Sequence, residues 1–274
     1  MTTPSAPAAV APVRPAGTRP LAWVVLGASV LQVAAPAVSI GVSGDTPGAG
    51  SAPDLLVSPA GWAFGIWGVI YLLAIAQAVG ALVAGPGGLP RRLQLDQVLL
   101  YASGALWIAM SALGSSLATA AALALMLAAA VDGVLVVARS GLVPRWLARL
   151  SRAAVGLYAG WVTAAFFLNL GTALVEVGAF DVGGLGWQLV LLAGAAVVLA
   201  ALAYATRVVA YVVAGIWALG GITATGLGND DPGVWGLAVA AAAVIGAALV
   251  AGIAAGRAGR SGSPVRPGRA ARPS

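Results

Sequence analysis

The chain has 274 residues, of which 61% are hydrophobic and only 8% charged, and its formal net charge is +6. This composition excludes an ordinary soluble globular protein, in which about a quarter of the residues are charged. With no Cys and no His, the chain has no disulfides, thiol nucleophiles or imidazole acid–base groups, and it lacks the usual ligands of zinc and haem iron. Its basic residues are all Arg, which together with the abundance of Ala is typical of a high-GC bacterial genome.

Apolar stretches of about 20 residues recur along nearly the whole chain, and each can cross a hydrocarbon core of about 30 Å. Segments rich in Gly, Pro, Ser, Asp and Arg separate them and are typical of loops. The sequence therefore predicts an all-α polytopic membrane protein, with disordered tails at 1–20 and 256–274. The eight predicted transmembrane helices span residues 21–40, 59–84, 95–113, 117–138, 153–175, 187–205, 208–225 and 234–255.

The boundary between the third and fourth helices is the least marked, because only residues 114–116 interrupt the apolar run. A single helix of more than about 40 residues would exceed the bilayer thickness, which favours two helices. With that split, all 14 Arg fall on one side of the membrane. The positive-inside rule then places this side and both chain termini in the cytoplasm. Six of the eight acidic residues fall on the opposite side: Asp45, Asp54, Glu176, Asp181, Asp230 and Asp231.

An aromatic stripe marks the start of the second helix. Phe64, Trp67 and Tyr71 follow at i, i+3 and i+7 and therefore share one helix face. The preference of Trp and Tyr for the membrane–water interface accounts for Trp62. Tyr71, however, lies about 18 Å into the helix. Two interpretations stay open for the stripe: a lipid-facing belt, or the lining of an internal cavity in which the polar tips find partners.

The fifth helix combines a polar and aromatic face with a face of small residues. Tyr158, Trp161 and Asn169 lie within one narrow stripe, whereas Gly156 and Gly160 lie on the opposite side. Small residues four positions apart allow a neighbouring helix to approach closely. An unpaired amide in hydrocarbon costs several kcal/mol, so Asn169 is expected to bond either another helix or a ligand.

Other polar positions within predicted helices are few. Asp132 lies about two turns before Arg139 and either reaches an Arg or interfacial water or has a functional role. A proton relay is disfavoured, because no second carboxylate is expected within the membrane. Gln32 and Gln77 are expected to make helix–helix hydrogen bonds, and Trp107 either reaches a shared cavity or simply packs.

Two of these segments resemble signatures of a known family. Residues 59–72 (Pro-Ala-Gly-Trp-Ala-Phe-Gly-Ile-Trp-Gly-Val-Ile-Tyr-Leu) resemble the second-helix signature of the tryptophan-rich sensory protein family (TspO/MBR, the translocator or peripheral-benzodiazepine-receptor family). Residues 157–169, with Tyr, Trp, Ala and then Leu-Asn, look like its fifth-helix signature. The order also fits: residues 21–176 correspond to the family's five-helix unit, and 187–255 look like the three additional helices of an extended bacterial form.

The resemblance implies a ligand-binding bundle at 21–176, with a pocket formed by helices two, three and five and covered by residues 41–58. The ligand that it implies is a tetrapyrrole or another flat hydrophobic molecule. A sterol is not implied, because Glu176 stands at the end of helix five, where the sterol-recognition pattern needs a basic residue. The expected ligand-binding residues are Phe64, Trp67, Tyr71, Trp107, Tyr158, Trp161 and Asn169.

The sequence thus predicts an integral sensor or regulator of the cell membrane that is not an enzyme. No nucleotide-binding loop, Ser nucleophile elbow or paired-carboxylate site is found, so no catalytic residues, metal or resident cofactor are expected. The expected partners are the lipid bilayer and a hydrophobic small molecule such as a porphyrin, with no nucleic acid and with a homodimer left open. Two alternatives remain: a small-molecule transporter, and a structural or assembly partner without a ligand of its own.

Overall fold

The computed structural model describes residues 17–43, 54–142 and 144–261. Within these ranges the chain forms eight α-helices that are long and apolar enough to cross a membrane, one short 3-10 helix and no strand. The predicted all-α polytopic membrane fold is confirmed. The helices are α1 (Arg19–Ser43), α2 (Ile66–Ala84), α3 (Arg91–Ala112), α4 (Ser116–Arg139), α5 (Arg145–Glu176), α6 (Leu185–Thr206), α7 (Val209–Gly228) and α8 (Pro232–Ser261), and the 3-10 helix is Gly61–Gly65.

The predicted tails differ from the structure at their inner ends. Residues 1–16 and 262–274 lie outside the described residues. The helical backbone of α1 already includes Arg19, and that of α8 continues to Ser261 rather than ending at 255.

The predicted split between α3 and α4 is confirmed by the local backbone. Gly114 has a φ of 73°, a conformation that favours glycine, and its N–H donates to the Ser111 carbonyl at 3.0 Å. Ser115 then caps α4, because its hydroxyl accepts a hydrogen bond from the Ala118 N–H at 3.3 Å. The chain therefore reverses within a few residues, and α4 packs along α3.

The predicted start of the fifth helix at 153 is wrong, because α5 begins at Arg145. Leu147 and Ser151 are both fully buried and lie one turn apart, whereas Arg149 between them is exposed. These residues form the first turns of an amphipathic helix, and Arg is a good helix former. The density of charge suggested a loop, but the spacing of the buried residues determines the structure.

The first five helices and the last three form two groups that meet mainly through α5 and α7. In one group, α3 packs against α1 and α4, and α5 packs against α2 and α4; in the other, α8 packs against α6 and α7. At the seam, a Cβ on Gly160 would overlap the Tyr211 carbonyl oxygen and lie 2.9 Å from the Ala214 Cβ. The small-residue face predicted for α5 is therefore the face that packs directly on the backbone of α7.

Buried amides tie the first five helices together. The Tyr158 hydroxyl donates to Gln32 Oε1 at 2.8 Å and so joins α5 to α1. Gln97 of α3 donates to Gln77 Oε1, and Gln77 Nε2 donates to Ser151 Oγ at 3.2 Å. The helix–helix hydrogen bonds predicted for Gln32 and Gln77 are confirmed.

Candidate ligand-binding site

The segment that enters α2 is fixed by contacts with α7. The predicted helix from 59 starts instead as the 3-10 helix, and α2 follows from Ile66. The Ala60 N–H donates to the Gly221 carbonyl at 3.0 Å, and Trp217 Nε1 donates to the Ala63 carbonyl at 2.8 Å. A Cβ on Gly221 would lie only 2.7 Å from the Ala63 Cβ. This close approach sets the direction in which the aromatic stripe of α2 enters the bundle.

Trp67 is the centre of an aromatic cluster that joins three helices. Its ring stacks on Tyr71 at a centroid distance of 5.3 Å and on Trp107 at 5.5 Å. Tyr158 and Trp161 meet it edge to face, at 5.7 and 6.3 Å. Trp107, Tyr158 and Trp161 are all buried. The stripe on α2 therefore faces the interior of the bundle, in favour of the second of the two interpretations.

A cavity with a free volume of about 50 Å³ lies beside this cluster, in the half of the molecule that carries the acidic loops. Among the described residues, none that lines it is charged. On one side its lining includes Phe64, Trp67, Trp107, Trp161 and Asn169. On the other side it is lined by residues of α6 and α7: Leu191, Leu192, Ala195, Leu199, Ala218, Leu219 and Ile222.

Five of the seven predicted ligand-binding residues thus line the cavity, and two do not. Tyr71 and Tyr158 lie behind the Trp67 ring, away from the cavity wall. Tyr158 is 1% exposed, and its hydroxyl donates a hydrogen bond to Gln32 Oε1. The structure therefore gives these two tyrosines contacts with the cluster rather than with the cavity.

Asn169 both bonds another helix and lines the cavity. Its Oδ1 accepts from Trp107 Nε1 of α3 at 3.4 Å, and its Nδ2 donates to the Ala165 carbonyl at 3.0 Å. The interhelical hydrogen bond was one of the two alternatives predicted for this amide. Trp161, in contrast, has a buried Nε1 with no hydrogen-bond partner in the described part of the chain. A buried donor without an acceptor costs free energy.

The cover of the cavity is held by α6. Val57 lines the cavity, and Leu55 is buried beside it. The Leu56 N–H donates to Gln188 Oε1 at 2.7 Å, and Gln188 Nε2 donates to the Val182 carbonyl at 2.7 Å. Residues 44–53 of the predicted cover, including Asp45, lie outside the described residues.

The walls from α6 and α7 distinguish this cavity from the predicted pocket of helices two, three and five. They were missed in the sequence because both helices are mostly apolar and carry no motif. One signal pointed towards them. The glycines of α5 indicated a closely packed neighbour, although not which helix it would be.

Asp132 lies at the opposite end of the bundle, where the Arg residues cluster. Arg92 Nε donates to Asp132 Oδ2 at 2.7 Å and Nη2 donates to Oδ1, so the two side chains form a bidentate ion pair between α3 and α4. This meets the expectation that Asp132 reaches an Arg. The expectation that no second carboxylate lies within a membrane helix is wrong, because Asp96 lies in the candidate membrane span Arg91–Ala112 and interacts with Asp132. Asp96 belongs to α3, which begins at Arg91 rather than at 95.

Two further tryptophans, Trp62 and Trp235, are on the outside of the bundle. Trp62 is 54% exposed and Trp235 is 37% exposed. Neither lines the cavity, although Trp62 meets the Trp217 ring edge to face. They therefore provide controls for substitutions of the buried tryptophans.

Comparison with curated protein sequences and with solved structures gives no match. A protein-family model described as TSPO-like protein matches residues 21–255. The match starts in α1 and continues into α8, beyond the 21–176 segment to which the sequence resemblance assigned the five-helix unit. The chain belongs to the TSPO-like protein family.

Proposed function

We propose that the protein is a membrane sensor or regulator that binds a flat hydrophobic ligand, such as a tetrapyrrole, in the cavity described above. One observation carries the proposal: aromatic rings from three elements meet at a cavity that no charged described residue lines. Stacking and dispersion against the tryptophan rings would supply most of the affinity. The role is one of binding, without a catalytic step.

Polar groups at the cavity would orient the ligand. Trp161 Nε1 is a buried donor without a partner in the described part of the chain, so it favours a ligand with a hydrogen-bond acceptor. Asn169 can exchange its long bond from Trp107, at 3.4 Å, for one to the ligand. Because no charged side chain among the described residues lines the cavity, we expect an uncharged ligand, or one whose charged groups project out of the cavity.

The free volume of about 50 Å³ is below the few hundred Å³ of a typical ligand pocket. Binding of a molecule as large as a tetrapyrrole would therefore require the walls to separate. The aliphatic side chains of α6, such as Leu192 and Leu199, are the ones that we expect to move, since the aromatic wall is held by mutual ring contacts. Such a change in packing is also how a sensor would transmit occupancy to α7 and α8.

The test uses the full-length protein in detergent, titrated with protoporphyrin and, separately, with its uncharged dimethyl ester. We expect saturable quenching of tryptophan fluorescence by both, and binding of the ester at least as tight as that of the acid. The same titration on Trp67→Phe and Trp235→Phe variants separates quenching at the cavity from quenching at the surface. Non-saturable quenching, or equal quenching in both variants, would contradict the proposal.

We propose further that the protein spans the cell membrane with its Arg-rich side and both termini in the cytoplasm. The one-sided distribution of Arg supports this orientation. Reporter fusions after Asp54, Asp181 and Asp231 should report the external side, and fusions after Gly88 and Gly141 the cytoplasm. A cytoplasmic signal at Asp231 would contradict the orientation.

The alternative function is a small-molecule transporter. It predicts that proteoliposomes containing the protein exchange a porphyrin across the bilayer faster than empty liposomes do. The sensor proposal predicts saturable binding without such a flux. Measuring both quantities on one preparation distinguishes the two functions.

A further inference from the structure

A second and larger cavity lies at the Arg-bearing end of the bundle, between the start of α3 and the end of α4. Its free volume is about 460 Å³. It opens to the outside of the molecule and is separate from the aromatic cavity, with which it shares no lining residue. We call it the α3–α4 groove. It is lined by Pro90, Arg91, Arg92, Leu95, Asp132, Leu135, Val136, Arg139 and Ser140.

The charges of the groove are unequally satisfied. Arg92 and Asp132 form a bidentate ion pair and so largely neutralise each other. Arg91 and Arg139 are exposed, and within the described part of the chain neither forms a hydrogen bond or a salt bridge. Asp96 lies behind Asp132 and does not line the groove. Asp132 also attracts Arg139 through space, so the three Arg residues of the lining share one carboxylate and leave the groove with a net positive charge.

The ends of the two helices affect the groove in opposite ways. Pro90 precedes α3, and no side chain caps its first turn, so that turn keeps the partial positive charge of its N–H groups. The end of α4 has the opposite partial charge, which Arg139 in its last turn offsets. The balance favours an anion at the mouth of the groove.

The floor of the groove is apolar. Leu95 lies one turn into the membrane from Arg91 and is 47% exposed. Leu135 and Val136 lie one turn before Arg139 on the facing helix. A free inorganic anion gains nothing from contact with these apolar side chains. A lipid, in contrast, can place its phosphate at the cations and its acyl chain along Leu95, Leu135 and Val136.

From this arrangement we infer that the α3–α4 groove binds an anionic phospholipid, with the headgroup phosphate at Arg91 and Arg139 and an acyl chain along Leu95, Leu135 and Val136. The bidentate pair of Arg92 and Asp132 joins α3 to α4 within the lining, with the Arg92 side chain 71% exposed. The site is independent of the ligand cavity, which lies in the other half of the molecule.

The test is native mass spectrometry of the delipidated full-length protein in detergent, with phosphatidylglycerol or phosphatidylcholine added. We expect one phosphatidylglycerol to bind more tightly than phosphatidylcholine. Arg91→Ala/Arg139→Ala should weaken the first phosphatidylglycerol by about thirtyfold, since each surface Arg contributes about fivefold near an anionic lipid. Arg139→Gln alone should weaken the binding of the first phosphatidylglycerol by about fivefold.

The matched control is Arg145→Ala/Arg149→Ala. It removes the same charge at the same end of the bundle, from exposed residues that do not line the groove. It should change the affinity by less than about threefold, because only the general surface attraction is altered. Circular dichroism and gel filtration of each variant confirm that the fold is kept, and the single substitution provides the comparison if the double variant does not fold.

Three outcomes would overturn the inference. Equal loss in the control variant would mean that only the overall charge matters. Equal binding of phosphatidylcholine would mean that the headgroup charge is not recognised. Displacement of phosphatidylglycerol by inorganic phosphate at similar concentration would assign the groove to a free anion rather than to a lipid.

Discussion

The two cavities of this protein lie in opposite halves of the bundle and are built on opposite principles. The aromatic cavity lies towards the acidic loops, and no charged described residue lines it. The α3–α4 groove lies among the Arg residues and has three of them in its lining. In the first, ring contacts of Trp67 connect the lining residues; in the second, an ion pair between Arg92 and Asp132 joins the two helices at the surface.

The difference follows from the solvent that each region meets. Within the hydrocarbon, polar groups must be satisfied by the protein, so the amides of Gln32, Gln77 and Asn169 bond other helices. At the end of the bundle, water and lipid headgroups are within reach, and exposed Arg side chains are tolerated. Recognition by shape and stacking is expected at the first site, and recognition by charge at the second.

Removal of the Trp67 ring should have the largest effect on ligand affinity, and it should affect the aromatic cavity but not the groove. Trp67→Ala removes the stacked contacts with Tyr71 and Trp107, so it should weaken porphyrin binding by about 1–4 kcal/mol, the range for anchor residues. Binding of phosphatidylglycerol should stay unchanged. Trp235→Ala, at a ring that is 37% exposed and away from the cavity, is the matched control. If both variants bind porphyrin with equal affinity, the cavity is not the ligand-binding site.

The seam between α5 and α7 should respond next. Gly160→Ala would place a Cβ against the Tyr211 carbonyl oxygen. We therefore expect the free energy of unfolding, measured by thermal unfolding in detergent, to fall by about 1–3 kcal/mol. Gly68→Ala in α2 meets no atom within 4 Å and should be neutral or stabilising by up to about 1 kcal/mol. The seam borders the aromatic cavity and not the α3–α4 groove, so the affinity of the groove for phosphatidylglycerol should be unchanged. A stable Gly160→Ala variant would show that α5 and α7 are not packed as described.

A substitution on α6 tests whether that helix belongs to the ligand site. Ala195 is buried and lines the cavity, so Ala195→Phe fills space and should weaken porphyrin binding by about tenfold, or about 1.4 kcal/mol. Val197 lies on the same helix but is 68% exposed, and Val197→Phe should leave the affinity unchanged. If Ala195→Phe binds as the parent does, the ligand occupies the first five helices alone, as the sequence resemblance implied.

The smallest effect is expected at Asn169. Its bond from Trp107 is long, at 3.4 Å, so Asn169→Leu should change the free energy of unfolding by less than about 1 kcal/mol. If the amide orients the ligand, porphyrin affinity should fall by several-fold while the melting temperature is kept. A lower melting temperature with unchanged affinity of the folded fraction would limit Asn169 to an interhelical role.

Much of the architecture follows from the sequence alone. The lengths of the apolar runs and the Gly114–Ser116 turn determine eight helices, because the bilayer sets how long a helix can be and a left-handed turn favours glycine. The 3.6-residue period places Trp67 and Tyr71 on one face of α2, and it places the glycines of α5 on the face opposite Trp161. The same period applied to residues 145–152 would have predicted the early start of α5, where the density of Arg suggested a loop.

Only the tertiary structure decides which helix meets which face. Gly156 and Gly160 indicate a close neighbour, but their spacing fits any small-residue helix, and the fold brings α7 there. For the same reason the walls of α6 and α7 could not be predicted, since their leucines and alanines look the same towards lipid and towards a cavity. Asp96 and Asp132, 36 positions apart in the chain, become neighbours only because α3 and α4 pack side by side in a particular register. The face of a helix on which a residue lies can be predicted from the sequence, whereas the pairing of helix faces depends on the simultaneous packing of all eight helices.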